Sequence, residues 1–192
     1  PMLFMLVYTF IAQIVFRSNV QYFPIFVFVG LTLWDFFNKT VQGSVKMVRN
    51  NSAIVSKVYI PKFILILQRM MVNGFKMLVS FSLIVVMMII FRVPVTLKVF
   101  YLIPIMIVLG LFTFGLSCIV LHFGVFVDDL YNVTIVILRL MFYMSGIFYS
   151  IGDRLEGTLR NVLLYCNPVS MLIESARMCV LYSSTPYRKL IV

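Results

Sequence analysis

The chain has 192 residues, 62% of them hydrophobic and only 11% charged, with a net charge of +10 and a mean hydropathy of +1.08. A soluble domain carries charge on roughly a quarter of its residues, so this composition excludes one and points to an integral membrane protein. The basic excess does not signal a nucleic-acid partner, because the lysines and arginines flank or interrupt apolar runs instead of forming one exposed stripe, as headgroup-facing residues at span ends do.

A bilayer core roughly 30 Å thick takes about 20 apolar residues in a helix. Five stretches are expected to span it: residues 1–17, 22–45, 62–91, 99–127 and 130–151. The first carries no charge before Arg17, and the second has Asp35 as its one acid before Lys39. The third is most purely apolar from Met77 to Phe91. The fourth has no formal charge, His122 being its one group that titrates near neutrality, and the fifth is interrupted by Arg139. Barrel strands would show about ten alternating residues, and these runs are longer and continuously apolar. In lipid their backbone groups are satisfied internally only as helices. The fold class is therefore all-α and membrane-integral, with turns at 17–21, 92–98 and 128–129; Pro94 marks the second of these.

Residues 36–76 hold seven basic side chains and no acid, against eight basic residues on the other side, where the tail also carries Asp153, Glu156 and Glu174 and its distal charges lie far from the fifth span. Weighting by proximity to span ends makes the segment between spans two and three cytoplasmic and residues 152–185 external. That external stretch contains two short amphipathic pieces broken at Asn167-Pro168, the first with Leu155, Leu159, Val162 and Leu163 on one stripe. Pieces so short cannot cross a bilayer, so a re-entrant or interfacial hairpin is expected. Glu174 and Arg177, at i and i+3, read as a surface helix pair. No signal peptide is evident, and both ends are expected to be cuts through a longer protein.

The cytoplasmic segment "NNSAIVSKVYIPKF" predicts a short helix over residues 50–61. Asn50, Asn51 and Ser52 offer N-cap oxygens. Ile54, Val55, Val58, Tyr59 and Ile60 supply apolar contacts about a turn apart, and Pro61 ends the segment. The alternative is a basic loop resting on anionic lipid. Elsewhere, Cys118, Cys166 and Cys179 lack any CxxC spacing and share one histidine, so no metal site is recognisable. Pairing of Cys166 with Cys179 is left open. No catalytic constellation emerges around His122.

Several of these residues fall in a pattern. "FPIFVFVGLTLWDFFNKTVQGSVKMVRNNSAIVSKVYIPK" resembles a region of type-2 ABC exporter permeases through Pro24, Gly30, Trp34, Phe37, Asn51, Lys57, Val58, Tyr59, Pro61 and Lys62. "FYMSGIFYS" and "NPVSMLIESARMCVL" resemble two later elements of the same family, in the same order. The subgroup it resembles exports O-antigen, capsule or wall teichoic acid. Two positions depart: Asp128-Asp129 stands where the family commonly has Arg-Asp, and Gly146 where it has proline.

The resemblance implies a multi-pass protein of the bacterial cytoplasmic membrane, with six spans in the full protein. It implies that residues 50–61 are a coupling helix docking on a separate ATPase subunit, through Asn51, Lys57, Val58, Tyr59, Ile60, Pro61 and Lys62. Consistently, none of the nine glycines precedes a lysine, so the chain lacks a phosphate-binding loop. ATP and magnesium would belong to the partner, and this chain is expected to bind no cofactor of its own and to perform no enzymatic chemistry. The implied cargo is a polyprenyl-diphosphate-linked polysaccharide or teichoic acid, moved by a homodimer because five or six helices enclose too narrow a path.

Aromatics make up 16% of the chain. Most suit interface belts and helix packing, but flat rings also stack on sugar faces. Phe4 and Tyr8 on span one, and Phe142, Tyr143, Phe148 and Tyr149 on span five, are candidates for a glycan path. Arg139 is costly within a span; it either pairs with a helix end or an acid such as Asp35, or meets the cargo's diphosphate. The runner-up function is export of a small amphiphile such as a drug or lipo-oligosaccharide. A membrane enzyme of lipid-linked sugar metabolism would need clustered acids, and Asp128-Asp129 is the one such pair.

Overall fold

The structure is a computed structural model that describes residues 22–55, 61–93, 97–127, 129–147 and 167–181. Among these residues it is helical, with no strand: α1 Phe23–Val45, α2 Met47–Asn50, α3 Ser52–Val55, α4 Lys62–Ile90, a 3-10 turn Leu97–Tyr101, α5 Leu102–Gly124, α6 Leu130–Met144 and α7 Pro168–Val180. The first expected span and residues 152–166 lie outside the described residues.

Helix α1 starts where Tyr22 turns through φ 56° and Pro24 presets the first helical turn. It is apolar on every face over its first half, and such a helix must be enclosed. Helices α4, α5, α6 and α7 all pack against it, burying Phe26, Phe28, Leu33, Trp34 and Phe37. Trp34 meets Phe142 of α6 at 5.6 Å between ring centroids, and Phe37 stacks on Phe112 of α5 at 5.9 Å.

The neighbours show narrow inward stripes. On α5 the buried set is Ile105, Leu109, Thr113, Ser117, Leu121 and Gly124, spaced about one turn apart, with small residues that let helices approach closely. Gly124 has a packing reason: a Cβ there would collide with the carbonyl of Val45. Helix α4 buries Leu65, Ile66, Asn73, Met77, Ile84 and Met88. Between α1 and α4, Asn73 Nδ2 donates to Thr40 Oγ1 at 3.0 Å, and Thr40 Oγ1 in turn donates to the Phe36 carbonyl at 2.7 Å.

The outer faces stay apolar. Met71, Phe75, Ile89, Leu111, Ile119 and Leu140 are all exposed. Two helical segments, Lys62–Ile90 and Val99–Gly124, are long and apolar enough to cross a membrane, and 22% of each most apolar window is buried. The core helix of a soluble protein would be mostly buried, so these faces are built for lipid or another apolar surface. The chain is a helical membrane protein.

The span expectations meet the helices unevenly. The second and third agree with α1 and α4 within a residue at each end. Helix α1 is long enough, but Asp35, Lys39 and Gln42 make its second half polar. The fifth was expected to reach residue 151, yet α6 stops at Met144, where Ser145 closes the last turn and Gly146 sits at φ 64°. Its 15 residues reach about 22 Å at 1.5 Å per residue, short of the bilayer core. Among the described residues two helices have full length and apolarity for a span, and the first of the five expected spans lies outside those residues.

Of residues 50–61, those at 56–60 lie outside the described residues. Two single turns, α2 and α3, flank Asn51. Asn51 follows α2, and its Nδ2 donates back to the Met47 carbonyl at 2.8 Å and closes the end of that turn. Pro61, extended at ψ 127°, stands immediately before α4.

Candidate functional site

Polar groups gather at the two opposite ends of the bundle. At one end α1 and α5 finish while α4 and α6 begin, brought together by Gly124 against Val45 and Gln42 beside Tyr131. On α1, Lys39, Gln42, Gly43 and Lys46 follow helical spacing. On α4, Lys62, Arg69 and Lys76 repeat every seven residues and share one face. These rows converge where the Arg69 guanidinium crosses Gly43, in space that a Cβ would fill.

The result is a cleft of about 260 Å³ lined by Lys39, Gln42, Lys46, Asn50, Arg69 and Tyr131, with Gly43 as its floor. No acid lines it. Tyr131 organises one wall: its hydroxyl accepts from Gln42 Nε2 at 3.4 Å, and Lys46 Nζ lies 4.0 Å above its ring centre, a cation–π contact. Arg69 is shared with a second cleft of about 270 Å³ that continues past Asn51, Gln68 and Val72 to Lys76. The nearest acid on α1, Asp35, is taken by Lys39 at 2.7 Å.

At the opposite end, Arg177 of α7 is the largest fully buried side chain among the described residues. Its Nε donates to the Phe26 carbonyl at 3.1 Å, Nη1 to the Gly146 carbonyl at 2.8 Å and Nη2 to the Ile147 carbonyl at 2.8 Å. Glu174 stands 3.3 Å from Nη1, and the guanidinium lies 3.6 Å over the Phe26 ring. Gly30 makes the room, since a Cβ there would sit 2.5 Å from Arg177 Nη2. Asn167 caps α7 by accepting from Ser170 N at 3.4 Å and donates from Nδ2 to Ser145 Oγ at 2.9 Å. One planar fork and one amide thus bind the start of α1, the end of α6 and α7 together.

That arrangement corrects the expected surface pair. Glu174 and Arg177 are 4% and 1% exposed, because α7 is covered by α1 and α5. Their spacing placed them on one face without saying which way the face looks. Asp35 pairs with Lys39 and not with Arg139, which is exposed.

The other expected site residues divide by position. Phe142 packs inward on Trp34 and meets Tyr143 edge-on at 5.5 Å, while Tyr143 is 67% exposed. Lys62 is exposed at the start of α4. Phe4, Tyr8, Lys57, Val58, Tyr59, Ile60, Phe148, Tyr149 and Cys166 lie outside the described residues. Among the described residues no three of His, Cys, Asp and Glu gather to hold a metal.

An all-helical membrane protein with basic clefts at one bundle end and a buried clamp at the other is the class that geometry defines. Similarity carries it further. The chain is 29% identical over 179 residues to the O-antigen export system permease protein RfbA of Klebsiella pneumoniae, covering 92% of this chain and 68% of that protein. It is 28% identical over 176 residues to the protein of the same name from Myxococcus xanthus, covering 91% and 67%. The resemblance to type-2 permeases of polysaccharide export, read from short motifs, is borne out along nearly the whole chain. No protein-family model matches it.

Proposed function

We propose that this chain is the transmembrane subunit of a bacterial ABC exporter. Its cargo is a polysaccharide linked to a polyprenyl diphosphate, carried across the cytoplasmic membrane as two copies of the chain work with a separate ATPase. The observation that carries the reading is similarity over nine-tenths of the chain to permeases of O-antigen export systems. The physical reasoning is compatible. Without a phosphate-binding loop in this sequence, uphill transport draws its energy from a docked subunit.

The segment 47–62 is where that energy enters. It follows α1, the helix that touches every large helix of the bundle, and it leads directly into α4. A push on it is delivered to the central helix and its main neighbour together. Tyr59 and Ile60 are the apolar anchors of the contact, and Lys57 and Lys62 its polar rim, since interfaces concentrate affinity on a few buried residues.

A cysteine at Tyr59 tests the docking. In membranes containing both subunits it is expected to cross-link to a cysteine on the ATPase, whereas a cysteine at Phe100, exposed near the opposite end, does not. No cross-linking at Tyr59, or equal cross-linking at both positions, with both subunits present, contradicts the docking assignment.

A further inference from the structure

We propose that the cleft at the α1–α4 crossing binds a phosphate-bearing lipid headgroup, with Arg69 and Lys46 holding the phosphate and Tyr131 and Gln42 positioning Lys46. Three independent features converge on that chemistry. The first is charge. Lys39, Lys46 and Arg69 line one small cleft with no acid among its lining residues, and Asp35, the acid of α1, is already engaged by Lys39. Like charges brought together without a counterion repel, so the remaining two favour an anion between them.

The second feature is preorganisation. Lys46 is held over the Tyr131 ring, and that ring is tethered through its hydroxyl to Gln42. Arg69 lies flat across Gly43 because nothing projects from that residue. A guanidinium so presented offers two parallel donors to phosphate oxygens, which an ammonium cannot do. The Gln42 amide and Tyr131 hydroxyl add neutral donors at the same rim.

The third feature is place and size. The cleft sits where α1 ends and α6 begins, the level at which headgroups meet span ends. A volume of about 260 Å³ falls below the usual range for drug-sized ligands and is too small for a sugar polymer. The adjoining cleft shares Arg69 and runs past Val72, beside exposed Met71 and Phe75. A hydrocarbon tail can leave by that apolar flank while the phosphate stays on Arg69.

Two sources carry this chemistry: a resident anionic phospholipid and the diphosphate end of a polyprenyl-linked cargo. The second rests on the exporter reading; the first does not. The intact protein in phosphatidylcholine nanodiscs, titrated separately with phosphatidylglycerol and with undecaprenyl diphosphate, distinguishes them by native mass spectrometry.

Arg69→Gln and Lys46→Gln are each expected to weaken one or both lipids about tenfold, the scale of a lost charge-assisted bond. Arg69→Lys falls between wild type and Arg69→Gln, and Arg92→Gln, at the other bundle end, leaves both affinities unchanged. Loss confined to phosphatidylglycerol keeps the site and assigns it to resident lipid; loss of the diphosphate lipid assigns it to cargo. Lys46→Gln, at the half-buried rim, keeps the test available should Arg69→Gln misfold. Wild-type affinity for both lipids in folded Lys46→Gln protein overturns the proposal.

Discussion

Arg177 shows how one side chain sets a local architecture. A buried guanidinium carries a desolvation cost that is offset only when its donors and charge are met. Here three backbone carbonyls, a carboxylate and an aromatic face do so. Two of those carbonyls, Gly146 and Ile147, belong to the turn that follows α6, where helix termini leave acceptors unsatisfied. Arg177→Met removes the fork and leaves Glu174 without this cation, so a loss of about 3–5 kcal/mol is expected, read as a lowered unfolding temperature in detergent. Adding Glu174→Gln to that variant recovers part of the loss. A thermal profile like wild type for Arg177→Met would sink the clamp.

At the scale of elements, helix ends explain more than helix middles. Beyond α4, Val93 N donates to the Met88 carbonyl at 3.0 Å and Arg92 N to the Ile89 carbonyl at 3.2 Å, the paired bonds of a Schellman motif. That motif needs a left-handed residue, and Arg92 occupies it at φ 53°. A side chain there costs about 1–2 kcal/mol relative to glycine. Arg92→Gly is therefore expected to raise stability by about 1 kcal/mol; an unchanged or lower unfolding temperature would show that Arg92 recovers the strain through its headgroup contacts.

The same ends separate what was legible in the sequence from what was not. Pro24 and Pro61 announce the starts of α1 and α4, because proline fits a first turn or the residue before one, and both boundaries were readable. The end of α6 was not. Ser145 and Gly146 interrupt an apolar run without changing its hydropathy, so the run reads as continuous to residue 151. The burial of Glu174 and Arg177 was equally hidden, since periodicity gives a shared face but not what covers it. The basic cleft left half a signal: the seven-residue repeat of Lys62, Arg69 and Lys76 was visible, but its meeting with Gly43 depends on the register of α4 against α1.

For the molecule as a whole, the plan is a central helix gripped at both ends. Helix α1 meets Arg177 near its first turn and Arg69 near its last, with aromatic packing between them. A rod held in this way suits the proposed exporter, in which a push on the segment after Val45 has to reach the opposite end of the bundle. The exposed apolar faces of α4 and α5 suit lipid or another apolar surface.

Transport in sealed proteoliposomes tests the central claim most directly. The full-length permease is reconstituted alone and with its ATPase subunit, and movement of a polyprenyl-diphosphate-linked glycan is followed by protection from an externally added glycosidase. The account predicts ATP-dependent translocation with both subunits and none with the permease alone. Translocation by the permease without the ATPase, or none by a folded, ATP-hydrolysing complex given its matched glycan, would contradict it.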